Sequence, residues 1–284
     1  MPRRRRKTFF QFLQTELGDQ IAPELLPRRL RILGHVGILW LHPQLEVFKE
    51  LIGQAILKYD TKIKSVLRRT DAITGPFRQP AVELIAGSPK TETVFRENRV
   101  VFYIDPMKVM FSVGNKAERL RMSQLGSGEY VVDMFAGIGQ LSLPMAVHAR
   151  PNIIHAIEWN PDAFNYLEQN IRANRVSSIV FPHFGDTGEI TPAICKGQAN
   201  RVIMGLIQGT ENYLKQGIEC LQAGGTMHVH EIGPKKASGR ELLLKMQQLA
   251  SSMNRNVELL ETRTIKSYSP RYDHFVLDIR VFER

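Results

Sequence analysis

The sequence predicts an α/β chain, a doubly wound parallel sheet with an antiparallel C-terminal edge, preceded by a small α+β domain. Three observations carry this. First, the apolar run Val131-Val132 ends in Asp133, and Gly137 and Gly139 follow one residue apart, ahead of an apolar series spaced for a helix. Second, another apolar run, Ile153 to Ile157, stops at Glu158, nineteen residues after Gly139. Third, strand and helix signals alternate regularly from Tyr130 to His230, the pattern of repeated βα units.

In chain order, residues 1–29 hold the basic run Arg3-Arg4-Arg5-Arg6-Lys7 and one short amphipathic helix ending near Gly18. Pro23 and Pro27 break the pattern, and partial disorder is expected there. Residues 30–105 form the small domain. Ile32-Leu33 and Gly37–Leu41 read as strands joined at Gly34, and Pro43–Tyr59 carries helical periodicity at Leu45, Phe48, Leu51, Ile52, Ala55 and Ile56. Short strand signals follow at 63–67, 82–86, 91–95 and 100–104. Lys58, Lys62, Lys64, Arg68, Arg69, Arg78 and Lys90 give this domain a basic face, suited to a nucleic-acid backbone or simply to water.

Residues 106–284 are expected to be the catalytic domain. A linker at Asp105–Asn115 leads to a helix carrying Glu118-Arg119-Leu120-Arg121, and Ser112 and Arg119 lie close enough ahead of the first strand to reach a ligand. Strands are predicted at 130–134, 178–182, 200–204 and 225–230, and helices from Gln140, over 161–174 and over 210–221. A helix at 240–254 precedes two long strand signals, 257–265 and 275–282, whose short connection predicts an antiparallel hairpin at the sheet edge.

The strand–turn–helix at Asp133–Gly139 is the chemical centre. Glycines without Cβ let the chain turn sharply and let a ligand lie against the backbone. A carboxylate at the end of the next parallel strand, Glu158, can accept both hydroxyls of a ribose, so an adenosine-bearing ligand is inferred. A dinucleotide site would call for G-x-G-x-x-G, yet Ser142 stands at the third glycine and no glycine before the turn receives a pyrophosphate. The pattern fits S-adenosylmethionine, whose amino-acid end is cationic at the amine and carries no phosphate. Asp133, Glu158 and Asp186 all fall at or near carboxyl ends of strands.

Composition narrows the partners. Lysine plus arginine count 38 against 28 aspartate plus glutamate, a net charge of +10, which favours a polyanion such as RNA. Cys195 and Cys220 are the only cysteines and form no C-x-x-C pair, so neither a disulfide framework nor a cysteine zinc site is expected, and the cytoplasm is the natural compartment. No apolar run approaches the roughly 18 residues that span a bilayer. His228 and His230 point the same way on a strand and read as packed imidazoles; without a third ligand, no metal is predicted.

At Asp105–Arg121, Asp133–Gly139 and Glu158 together, the chain resembles the archaeal and eukaryotic family that modifies position 37 of tRNA from S-adenosylmethionine. That family holds guanosine N1-methyltransferases and wybutosine-pathway aminocarboxypropyltransferases, and the resemblance covers roughly residues 30–284. It implies a class I, Rossmann-like methyltransferase domain behind an RNA-clamping domain, acting on the anticodon region of phenylalanine tRNA, with no obligate protein partner. The family's cofactor contacts carry over onto Ser112, Arg119, Glu158 and Asp186, with Asp186 expected at the adenine amino group, and the turn itself adds Asp133, Phe135, Gly137 and Gly139, with Thr187 beside Asp186, to the expected cofactor-binding set. Thr187 stands where relatives often carry Asn. Arg119 and Asp133 are the candidate catalytic orienting groups, Arg119 for the carboxylate of the methionine arm and Asp133, or a backbone carbonyl, for its amine.

The two activities diverge after the strand at 200–204. The methyltransferases resemble other alkylators of planar nitrogens in carrying an Asn-x-Pro type motif there, whereas Met204-Gly205-Leu206 offers neither amide nor proline. This stretch, with His228–Glu231, Ile265–Tyr268 and His274–Phe282, resembles the aminocarboxypropyltransferase branch. The resemblance therefore implies transfer of the 3-amino-3-carboxypropyl group to carbon 7 of 4-demethylwyosine, and guanosine-37 N1-methylation is the alternative.

Overall fold

The computed structural model describes residues 7–71, 75, 77–236 and 239–283. The chain divides into two compact units, Met1–Arg96 with Phe102–Val113 and Glu97–Val101 with Gly114–Arg284. Arg3–Arg6 of the basic run lie outside the described residues.

In the first unit, α1 (Phe9–Leu17) opens with a capping box in which Thr8 accepts from the Gln11 backbone and the Gln11 side chain accepts from Thr8 N at 3.0 Å. Two orphan donors of the first turn are thereby satisfied. Phe9, Leu13 and Leu17 make its buried face, and with Ile21 and Leu26 they enter the core under α2 (Lys49–Tyr59). This is the short amphipathic helix expected before Gly18, held by apolar side chains spaced four residues apart. The sheet runs β1 (Arg31–Leu33), β2 (Val36–Trp40), β3 (Ser65–Arg69), β4 (Val82–Gly87), with β2 and β3 parallel and the outer pairs antiparallel. Between β2 and β3 the expected single helix is split: Pro43–Phe48 is a 3-10 turn, capped by His42 and started by Pro43, before α2 begins. Gly53 lets α2 close on β4, since a Cβ there would lie 2.7 Å from Ala86 Cβ. Thr93–Glu97 (β5) and Val100–Ile104 (β6) pair as a two-stranded sheet, turned by Asn98 and Arg99 at φ 47° and 63°.

The second unit begins with α3 (Lys116–Met122) and continues β7 (Tyr130–Asp133), α4 (Ser142–His148), β8 (Ile153–Glu158), α5 (Pro161–Ala173), β9 (Val180–Phe184) and α6 (Thr187–Ile194). It ends β10 (Ala199–Met204), α7 (Leu214–Cys220), β11 (Leu221–Pro234), α8 (Arg240–Ser252), β12 (Arg255–Ser267) and β13 (Tyr272–Glu283). The seven strands lie in the order β12-β13-β11-β10-β7-β8-β9. β11, β10, β7, β8 and β9 are parallel, and the C-terminal pair is the expected antiparallel hairpin at the edge. The winding reverses between β7 and β10, which opens a crevice at their carboxyl ends. One face of the sheet packs α7 and α8 through Val202, Met204, Leu214, Ile218, Met227, Val229, Met246 and Leu277. Edge strand β12 shifts register between Leu259 and Glu261 and again between Thr264 and Lys266. Such bulges, with the charged side chains along it, discourage pairing with another chain.

Candidate functional site

At the reversal point, β7 delivers Asp133 to the bottom of the crevice, only 1% exposed. Its Oδ1 accepts from Phe135 N at 3.3 Å and its Oδ2 from Ser142 Oγ at 2.8 Å. Burial pushes the carboxyl up to about 7, against those hydrogen bonds, and the nearby Glu158 adds to the rise. The chain then turns through Gly137 at φ +56° and Gly139 at φ +90°. These glycines serve different ends. A Cβ on Gly139 would lie 2.6 Å from Leu143, so this position is needed for helix packing. A Cβ on Gly137 would meet only Gln140 Nε2, at 3.6 Å, so the space over its backbone is open.

From the neighbouring strand, Glu158 Oε2 accepts from Gly137 N at 2.7 Å and Oε1 from Asn160 N at 2.7 Å. The carboxylate ties the glycine turn to the start of α5, where Asn160 caps the helix ahead of Pro161. Burial raises its pKa, with the backbone donors of Asn160 and Gly137 opposing. The Trp159 backbone donor opposes the rise as well, and a carboxylate with about four acceptor positions keeps room for one further donor. After β9, Asp186 caps α6, accepting from Gly188 N at 2.6 Å with Oδ1 and from Tyr213 Oη at 3.3 Å with Oδ2. Tyr213 meets Phe135 edge-on, ring centroids 5.3 Å apart. Thr187 turns inward, 4% exposed, its hydroxyl 3.0 Å from that of Thr191.

Arg119 lies on α3, 2% exposed, with Nε donating to Glu97 Oε2 at 2.6 Å. The same helix is bolted to the sheet by charge. Glu118 accepts from Arg121 at 2.6 and 2.9 Å, and Arg121 Nη1 donates to Asp278 Oδ2 at 2.6 Å. Asp278 Oδ1 accepts from His228 Nδ1 at 2.6 Å, which leaves His228 Nε2 to accept from Arg201 Nη1 at 2.5 Å. Burial holds the His228 imidazole below its ordinary value in spite of Asp278. Burial also works against the charge on Glu118, but His230 and Arg121 outweigh it and hold the carboxyl well below the usual range. The histidines singled out by sequence are thus part of a buried polar network. His230 Nδ1 and His274 Nε2 are 3.0 Å apart, and among the described residues no group of three or more His, Cys, Asp or Glu is arranged to hold a metal.

The structure brings Asp133, Phe135, Gly137, Gly139 and Glu158 together at adjoining strand ends, with Asp186 joined to Phe135 through Tyr213. Ser112 belongs to the first unit and Arg119 to the second. Sequence reading passed over three supporting side chains. Ser142 was noted only as a missing glycine, although its hydroxyl donates to Asp133. Asn160 before Pro161 is a helix-start signal that was available. Tyr213 lies 27 residues from Asp186, and no local pattern points to it.

Among the described residues no helix is long and apolar enough to cross a membrane. The TRM5/TYW2 methyltransferase domain family matches residues 93–260, and the TYW2 N-terminal domain family matches residues 11–91. A tRNA(Phe) (4-demethylwyosine(37)-C(7)) aminocarboxypropyltransferase of Pyrococcus horikoshii is 35% identical, over 96% of this chain and 96% of its own length. The tRNA (guanine(37)-N(1))-methyltransferase Trm5b of Pyrococcus abyssi is 34% identical over 90% of this chain and 76% of its own. The crystal structure of P. horikoshii TYW2 in complex with MeSAdo superposes with a TM-score of 0.83 at 32% identity, covering 97% of this chain and 100% of that one. The chain belongs to the TRM5/TYW2 methyltransferase domain family.

Proposed function

We propose that this protein transfers the 3-amino-3-carboxypropyl group of S-adenosylmethionine to carbon 7 of 4-demethylwyosine at position 37 of phenylalanine tRNA. The observation that carries the reading is the end-to-end likeness to the P. horikoshii aminocarboxypropyltransferase, which the Trm5b relative does not match in length. The N-terminal match to the TYW2 domain and the absence of an Asn-x-Pro motif at Met204-Gly205-Leu206 support it.

The residues present fit the donor. Asp133 is a buried carboxylate whose raised pKa calls for a cation beside it, and the backbone at Gly137 is open where a side chain would intrude. When bound, S-adenosylmethionine would supply a sulfonium whose γ-carbon is open to displacement: carbon 7 would gain the aminocarboxypropyl group as the γ-carbon–sulfur bond breaks, with methylthioadenosine departing and the proton displaced from carbon 7 passing to solvent. Asp133 holds the ammonium of the methionine arm, Arg119 its carboxylate, and Glu158 the ribose. Phe135 and Asp186 with Thr187 bound the adenine, and Gly137 and Gly139 shape the turn. Which carbon faces the base follows from how the arm is held, so the enzyme's contribution is mainly orientation. The tRNA is bound through its anticodon region, and the work is done in the cytoplasm.

The test is the nucleoside at position 37 after incubation with S-adenosylmethionine. A tRNA carrying 4-demethylwyosine should acquire the aminocarboxypropyl group, and a tRNA with unmodified guanosine-37 should be left unchanged. N1-methylguanosine formed from the second tRNA would overturn the proposal in favour of methylation.

A further inference from the structure

Arg68 and Arg69 are neighbours on β3, so their side chains leave opposite faces of the first unit's sheet. Their surroundings differ sharply in charge. Arg68 donates through Nε to Glu83 at 2.5 Å and also pairs with Glu46, and Lys49 joins both carboxylates. Arg69 is partly buried on the other face, and no described carboxylate lies within ion-pair distance of it. Burial depresses its guanidinium, and the charge of Arg31 adds to the effect, with no acid offsetting either. A partly desolvated cation facing a second cation is costly unless an anion completes the set.

Arg31 and Arg69 line one cleft of about 40 Å³, walled by Leu33, Ile38, Val82 and Phe111. Asp71 also reaches it but is engaged in an interaction of its own. At about 10–15 Å³ for each water centre, that volume admits the oxygens of a phosphate and excludes a nucleoside. Trp40 is the register partner of Arg69 across β2 and β3, hence on the same face, and the residue is 55% exposed. Arg31 is the register partner of Ile38, two residues from Trp40, so the indole and both guanidiniums share one face, the combination that binds single-stranded nucleic acid with the base stacked and the backbone neutralised.

We propose that Arg31 and Arg69 hold one phosphate of the tRNA and that Trp40 stacks on the unpaired base next to it. This rests on the reading that tRNA is the substrate, and it assigns the first unit a nucleotide-sized site of its own.

The chain has two tryptophans, Trp40 and Trp159, so Trp159→Phe makes Trp40 the sole reporter. In that full-length variant, tRNA and a short single-stranded oligoribonucleotide should quench Trp40 emission saturably. Arg31→Ala with Arg69→Ala should weaken tRNA binding about tenfold and shrink the slope of log affinity against log salt by about one. Trp40→Ala should weaken it about tenfold with the salt slope unchanged, since stacking releases no counterions. Thermal melting of each variant checks that these partly exposed positions leave folding intact. Unchanged affinity and salt slope in the double variant, while the parent protein binds tRNA, would overturn the site and leave the functional proposal standing. Quenching by polyglutamate and not by RNA would overturn it in favour of an acidic protein partner. A parent protein that binds no tRNA would sink the functional proposal and this one together.

Discussion

Replacing Asp133 by Asn separates what this carboxylate costs the fold from what it gives the site. Burial raises Asp133 from 3.8 to about 7 in the folded protein. Each unit of pKa corresponds to about 1.4 kcal/mol, so keeping Asp133 ionised costs the unliganded protein up to about 4 kcal/mol. Because the folded pKa is the raised one, stability is fullest below pH 4 and is lost as pH rises toward 7. Asn cannot ionise, and its amide can still accept from Phe135 N while facing the Ser142 hydroxyl. The variant should therefore match the parent near pH 4 in urea unfolding and exceed it increasingly up to pH 7, with the gap constant above. Binding should move the other way. A cationic amine set against Asp133 lowers its pKa, so affinity for S-adenosylmethionine should rise from pH 5 to 7 in the parent and stay low and flat in Asp133→Asn. Equal unfolding midpoints for the two proteins at pH 8, or a gap independent of pH, would refute the reasoning.

Other perturbations follow from the same geometry. Gly139→Ala forces a Cβ onto Leu143 at φ +90°, and should lower stability by about 2–3 kcal/mol in urea titration. Gly137→Ala has room for the Cβ, and should cost only about 1 kcal/mol yet abolish cofactor binding by calorimetry. Arg119→Met removes the partner of Glu97, itself 11% exposed, and should cost about 3–5 kcal/mol along with transfer activity. Adding Glu97→Gln should restore the melting temperature and leave transfer abolished; recovered transfer would remove Arg119 from the site. Burial raises the Asp278 pKa, but His228 and Arg121 overcome it and hold the carboxyl below its ordinary value. Its stabilisation is present above pH 4 and lost on acidification, so Asp278→Asn should destabilise the protein at pH 7 and flatten the acid limb of its pH–stability curve.

The parts of this protein legible in sequence are those whose cause is local. Asp133, Gly137, Gly139 and Glu158 are written as a strand end, a turn and a second strand end, and the structure joins them by the Gly137 N to Glu158 bond. The C-terminal hairpin was legible because two long strands with a short connection can only pair antiparallel. Helix α6 was not, since Thr187-Gly188-Glu189-Ile190-Thr191-Pro192 has poor helix propensity and depends on the Asp186 cap and tertiary packing. The helix ending near Gly18 was legible in its apolar spacing, but the burial of Ile21 and Leu26 was not, because it depends on contacts with other elements. Arg121 and Asp278 are 157 residues apart, and no spacing rule connects them. Arg68 and Arg69 look alike in sequence, and only the sheet shows one neutralised by two glutamates and the other facing Arg31.

The most direct test of the account is the small molecule left after reaction of this protein with S-adenosylmethionine and tRNA carrying 4-demethylwyosine. Methylthioadenosine, formed in step with modified tRNA, is the product predicted for a methionine arm held between Asp133 and Arg119. S-adenosylhomocysteine would mean that the methyl carbon faces the base, and would contradict the assignment drawn from Met204-Gly205-Leu206.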